Sequence, residues 1–185
     1  MEIAEPADHP VWGLSYESCQ KYCEALNEVA QRYGRMGTVS IPTEFQWEYA
    51  AKGASTREYP YGHEFNSHYA NTIESGIGKT TPVTQYADHA SPFGICDLAG
   101  NVEEWTSSDY SPYPGGIAVD DDLTKELGRY KVLRGGSFRL GGDLTRCARR
   151  HGPHPDPIFR YVGFRLAMSI ERAGTSAEEC SKYCE

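Results

Sequence analysis

Across residues 54–133 one turn signal follows another: YPYGHEFN, SGIGKTTP, SPFG and YSPYPGG. Glycine and proline at this density impose backbone angles that neither a long helix nor a long strand accepts. The span is therefore predicted to be mostly turns. Glycine (19), tyrosine (13) and proline (11) are plentiful throughout, and long apolar runs are missing. That composition favours short strands in a loop-rich α+β fold over a helical bundle. The 185 residues suit a single domain, 1–185, with a core of its own, and no linker divides them.

Helical spacing is clearest in SYESCQKYCEALNEVAQRYG. Ser15 is placed to cap this helix, Glu17 to favour its first turn and Gly34 to stop it. Cys19, Tyr22, Cys23, Leu26, Ala30 and Tyr33 share one side of it. A second helix begins in PTEFQWEYAAKG, where Thr43 and Gln46 form a capping box and Gly53 ends the run. KVLRGGSF and YVGFRLAMS read as short strands. Residues 170–185 are expected to add a C-terminal helix, capped by Thr175 or Ser176.

SYESCQKYCE near the start and SAEECSKYCE at the end place Cys19/Cys23 and Cys180/Cys184 at the same four-residue spacing. On a helix, that spacing puts both thiols on one face. Two such faces packed together would give two disulfides, four thiolates for zinc, or two reduced pairs, and the sequence leaves all three open. The likeness of the two segments is equally open between chance, a paired structural device and the start of a truncated repeat. Cys96 and Cys147 have no evident partner.

A formal charge of −8 and a pI of about 5.3 argue against general nucleic-acid binding. The charge is uneven, however. DDDLTKE (120–126) is acidic, whereas 134–165 carries Arg134, Arg139, Arg146, Arg149, Arg150, Arg160 and Arg165. Either these arginines present a local anion-attracting surface or they pair with carboxylates of the core. No stretch reaches the length of a membrane span, and the first residues lack a basic-then-apolar leader pattern.

PTEFQWEYAAKG, YPYG, YAN, PFGICDLAGNVEEWTSSDY, KVLRGGSF and VGFRLA occur in a familiar order and spacing. In them, residues 10–168 resemble the formylglycine-generating-enzyme (sulfatase-modifying factor) domain. The resemblance implies a C-type-lectin-like fold with little regular secondary structure and with calcium as a structural cofactor. Asp97, Gly100, Val102 and Glu104 match the family's calcium ligands. Carboxylate and carbonyl oxygens on a tight turn suit calcium, which takes six to eight loosely arranged oxygens. Asn71 and Thr72 in YANT match the start of a second site, although the loop after them is shorter here. The alternative at the first site is that Asp97 and Glu104 cap the turn and pair with an arginine.

Members that make formylglycine use two cysteines just after the Gly-Gly-Ser motif, where soft thiolates hold copper. Here the first position is Leu140 and the second falls in GGDL, so the resemblance does not extend to that oxidase chemistry. Cys147 corresponds to a structural cysteine of some relatives, and its usual partner position, near Ala51, is not cysteine. Sulfoxide synthases of the family hold iron with three histidines, two from an HxxxHxE motif on an additional domain. None of His9, His63, His68, His89, His151 and His154 shows that motif, and neither copper nor iron is expected. A metal-dependent oxidoreductase with an unrecognised site is the alternative reading.

Variable proteins of diversity-generating retroelements are a third use of this fold. They display hypervariable residues between a Gly-Gly-Ser-aromatic motif and a final Gly-Phe-Arg, the interval bounded here by Gly135-Gly136-Ser137 and Gly163-Phe164-Arg165. Randomising adenines in Asn-type codons excludes Lys, Glu, Gln, Met and Trp. None of these five occurs from Phe138 to Val162; their share of the rest of the chain, roughly a fifth, would give about five. Arg139, Leu140, Gly141, His151, Gly152, Phe159, Arg160 and Tyr161 hold residues that such codons reach. With Asp143 and His154, all but Gly152 are the expected ligand contacts. Phe159 and Tyr161 supply area, and Arg139 and Arg160 supply forked donors. The expected framework is Arg134, Gly135, Gly136, Ser137, Arg146, Ala148, Arg150, Gly163, Phe164 and Arg165. The resulting expectation is a non-catalytic protein that binds a protein or other macromolecule through 139–161. No residue assigns a compartment; a cell surface, a virion or secretion would suit such display.

Overall fold

The computed structural model describes residues 6–35, 37–117, 125, 128–152 and 161–170. The expected C-terminal helix, with Cys180 and Cys184, lies outside the described residues. Helix α1 (Tyr16–Arg32) starts where Ser15 accepts a hydrogen bond from the Ser18 amide. It ends in a left-handed turn at Gly34, with Arg35 N–H donating to the Ala30 carbonyl at 2.9 Å and Gly34 N–H to Gln31 at 3.0 Å. Helix α2 (Glu44–Lys52) carries the expected Thr43/Gln46 capping box and stops at Gly53.

Strand β2 (Glu103–Asp109) is central in a three-stranded sheet, antiparallel to β3 (Lys131–Arg134) and parallel to β4 (Val162–Gly163). A separate ribbon joins β1 (Thr38–Ser40) to β5 (Ala167–Ser169), with Val39 opposite Met168. Asn27 of α1 imitates another strand against β1, donating to the Val39 carbonyl at 2.8 Å and accepting from its amide at 2.7 Å. That contact covers an edge that would otherwise be open to pairing. The central strand falls inside the span predicted to be turns. Its first four residues are all buried, two of them glutamates, so the alternation that marks a half-buried strand is absent.

Two apolar clusters flank this sheet. One holds Cys19, Cys23, Ile41, Trp105, Leu133 and Val162; the other holds Trp47, Ala51, Leu98 and Cys147. Cys19 and Cys23 are free thiols turned into the core. Burial pushes the Cys19 thiol up to about 11. Cys180 and Cys184, the other half of the bridge and zinc readings, lie outside the described residues. Along the rest of that helix side Tyr22 and Tyr33 are exposed, since the sheet underlies only the first turns.

Charge joins α2 to the sheet. Arg134, fully buried, donates to Glu44 at 3.1 Å, Glu48 at 2.9 Å and the Cys147 carbonyl at 2.9 Å. Arg150 grips both oxygens of Glu44 at 2.7 Å and lies between the rings of Tyr110 and Tyr113, 4.5 and 4.6 Å from their centroids. Replacing Glu44 by alanine leaves two guanidinium groups without their shared carboxylate, and should cost about 3–5 kcal/mol in urea unfolding. Arg32→Ala, which breaks an exposed pair with Glu28, should change stability by less than about 0.5 kcal/mol.

Candidate functional site

The segment leaving β3 is fixed by Gly135 and Gly136, at φ of 91° and 65°. A Cβ on Gly135 would stand 3.1 Å from the Trp47 ring, and one on Gly136 would stand 2.9 Å from Thr145. Only glycine satisfies both the angle and the space. The Phe138 amide then donates to the Asn101 carbonyl at 3.0 Å and its ring is buried. From there the chain turns outward. Arg139 and Asp143 are exposed and Leu140 and Gly141 half-buried, around a 3-10 turn, Gly142–Thr145. Glu74 receives the Gly142 amide at 2.9 Å and steadies this turn.

One residue holds the far part of the interval at both flanks. His151 exchanges backbone hydrogen bonds with Leu133 at 2.7 and 3.1 Å, and its Nδ1 lies 2.8 Å from a carboxylate oxygen of Glu103. The Glu103 amide donates to the Tyr161 carbonyl at 2.9 Å. Glu103 thus meets His151 through its side chain and Tyr161 through its backbone. Tyr161 sits at φ 76°, a left-handed angle that costs a non-glycine residue about 1–3 kcal/mol. Rings hold it there: Phe138 edge-on with centroids 4.8 Å apart, and Trp12 at 5.7 Å. The guanidinium of Arg139 covers both the Tyr161 and Phe138 rings, 5.4 and 5.5 Å from their centroids.

Arg139, Tyr161 and Leu140 are therefore close in the fold as well as in the expectation, and His151 is tied to Tyr161 through Glu103. His154, Phe159 and Arg160 lie outside the described residues. Of the expected framework, Arg134, Gly135, Gly136, Ser137 and Gly163 are buried, Phe164 packs on the core, and Arg150 and Arg165 are held in ion pairs. Arg146 and Ala148 are exposed instead, and the Arg146 side chain donates to the Asp143 carbonyl of its own turn at 2.8 Å.

At the expected cation position Asp97, Asn101, Val102, Glu104 and Arg165 line one cavity. Arg165 holds both oxygens of Glu104 at 2.6 Å, and the Trp47 indole donates to one of them at 2.6 Å. Glu104 is thereby committed to a cation of the protein's own. Asp97 receives one hydrogen bond, from Asn101 at 2.9 Å. Burial, with Glu104 nearby, pushes its carboxyl up to about 6 against the pull of Asn101 and Arg165. Of the four expected ligands, Asp97, Val102 and Glu104 line the cavity and Gly100 does not, and Asp97 is the carboxylate that no arginine holds. At the second expected position the side chains are engaged within the protein. Asn71 and Thr72 are fully buried, with the Asn71 amide donating to Lys79 and Asn101 and the Thr72 hydroxyl to Glu74.

Two residues that matter here were not singled out from the sequence. Asn101, fully buried, joins Asn71, Thr81, Asp97 and the Phe138 amide, at 2.8–3.2 Å. Its signal was present, because an asparagine after glycine in a short turn is placed for a left-handed angle, here φ 63°. Trp12 reaches Tyr161 from 149 positions away in the chain, and nothing in VWG marks it.

Residues 1–170 match the Sulfatase-modifying factor enzyme 1-like domain. A serine/threonine-protein kinase Pkn1 of Chlamydia trachomatis is 35% identical over 91% of this chain and 26% of its own length. Hercynine oxygenase of Mycobacterium tuberculosis is 32% identical over 89% of this chain and 38% of its own. The chain thus spans well under half the length of either relative. Among solved structures, Treponema denticola variable protein 1 superposes with a TM-score of 0.64, covering 89% of this chain and 73% of that one at 21% identity. The fold is the irregular C-type-lectin-like α+β fold, and the chain belongs to the sulfatase-modifying factor (formylglycine-generating enzyme-like) domain family.

Proposed function

We propose that this domain is a non-catalytic binding protein whose ligand contacts lie in 139–161, an interval diversified by a retroelement. The observation that carries this reading is the contrast across Phe138. Before it every residue of the Gly-Gly-Ser turn is buried and space-filling, and after it Arg139 and Asp143 point to solvent between clamped ends. A rigid scaffold with an outward interval tolerates replacement without loss of fold. The thiol chemistry of the formylglycine-generating members has no counterpart here. Leu140 stands at the first cysteine position, and Cys147 is a core thiol that burial pushes up to about 12. The partner is a protein or another macromolecule. Within the same reading, calcium is a structural ion at Asp97, Gly100, Val102 and Glu104 that would supply positive charge to Asp97.

A second reading, a metal-dependent oxidoreductase, is favoured by the 32% identity to a hercynine oxygenase. It requires copper or iron bound one per chain after reconstitution, which elemental analysis of the purified protein reads directly. At the encoding locus, a near-duplicate of the 138–162 segment beside a reverse transcriptase gene would support diversification.

Two outcomes are expected on the protein itself. Joint replacement of Arg139, Leu140 and Asp143 by serine, asparagine or tyrosine should leave the melting temperature within about 4 °C of the parent. Gly136→Val, which forces a side chain into a positive φ against Thr145, should cost about 2 kcal/mol or more.

Asp97 gives a test of calcium. Its carboxyl is raised above its unfolded value, so the folded state holds the proton longer. The contribution of this group is best below pH 4 and falls as pH rises towards 6. In chelator, Asp97→Asn should therefore stabilise the protein at pH 7.5 by about 1–2 kcal/mol, allowing for partial exposure. Calcium should raise the melting temperature of the parent and not of the variant. A parent unmoved by millimolar calcium would leave Arg165 as the cation that neutralises this cavity.

A further inference from the structure

Of the seven arginines of 134–165, Arg160 lies outside the described residues and the other six divide into two sets. Arg134, Arg150 and Arg165 are neutralised by Glu44, Glu48 and Glu104. Arg139, Arg146 and Arg149 form no ion pair among the described residues, and Arg139 and Arg146 are exposed. Asp143 is exposed on the same turn, so Arg139, Asp143 and Arg146 together leave a local excess of positive charge there, in a chain whose net charge is −8. Arg139 is also the best prepared of these cations. Its guanidinium lies against two aromatic rings, 5.5 and 5.4 Å from the centroids of Phe138 and Tyr161, which restrains the group. Trp12, packed against Tyr161, extends the aromatic floor.

We propose that Arg139 is the recognition anchor for a carboxylate on a protein partner, an Asp or Glu side chain flanked by an aromatic or aliphatic residue that lies on Tyr161. This rests on the binding reading above and names its ligand chemistry. A planar, ring-backed guanidinium matches a carboxylate through two parallel N–H···O bonds. The aromatic floor beside it suits an apolar neighbour on the same partner. A long polyanion is disfavoured by the same charge count, because the field of the whole chain repels it while one carboxylate senses mainly the local guanidinium.

The test is a side-chain and backbone NMR titration of the intact chain with three capped tripeptides, Asp-Tyr-Asp, Asn-Tyr-Asn and Lys-Tyr-Lys. The acidic peptide is expected to shift the Arg139 Nε–H and the Tyr161 resonances, with affinity about tenfold above the amide peptide. Arg139→Gln should erase that difference, whereas Arg146→Gln should change it by less than about twofold. High salt should weaken binding of the acidic peptide selectively. If the amide or basic peptide binds these residues as well as the acidic one, the charge assignment is overturned and the binding surface stands. If oligodeoxythymidylate displaces the acidic peptide at equal phosphate and carboxylate concentration, the ligand is a polyanion and the proposal fails. Silence of every probe across 139–161 would count against both the anchor and the surface.

Discussion

Glu104 receives two guanidinium nitrogens of Arg165 and the indole N–H of Trp47, all at 2.6 Å. Through that one carboxylate the Gly-Phe-Arg segment, α2 and β2 are fixed to one another. The core needs such a device because its apolar clusters are small and its strands short. Burying an ion pair is expensive, and one that survives must have its geometry and remaining donors satisfied. The return is specificity of placement: a bidentate pair admits one arrangement of the elements that carry it, where a greasy contact admits several. The Glu44–Arg134–Arg150 group repeats the device beside it, where α2 meets β3.

The same economy explains how an irregular interval is held on a defined fold. Both its flanks are positioned by elements that do not themselves face the solvent. Gly135 and Gly136 lie under Trp47 and beside Thr145, and Glu103, at the start of β2, meets both His151 and Tyr161. The strained angle of Tyr161 is retained because Phe138 and Trp12 flank its ring. Strain of this kind persists only where neighbours over-determine it, and it marks the outward surface, not the core.

Local chemistry was legible in the chain. The Thr43/Gln46 box, the Ser15 cap and the Gly34 and Gly53 stops lie where short-range hydrogen bonding requires them. The Gly-Gly-Ser and Gly-Phe-Arg borders of the interval were legible too, since each glycine answers a steric demand of its immediate surroundings. The central strand was not, because its inward positions are occupied by Glu103 and Glu104, and a strand of buried acids does not alternate. Nor could a reader of the sequence sort the arginines. Arg165 and Glu104 are 61 residues apart and Arg150 and Glu44 are 106, and no local pattern joins them.

The sequence by itself determined where helices start and stop, which turns need glycine, and that an interval between two fixed borders lacks five residue types. Those properties depend on a few bonded neighbours and on composition. Only the tertiary structure decided which arginines are spent internally and which remain outside, that the Cys19 and Cys23 side chains lie in the core, and that Trp12 and Arg139 share the ring of Tyr161. Each of these follows from long-range packing, in which a carboxylate or ring brought from elsewhere in the chain fixes the role of a residue that looked the same as its neighbours.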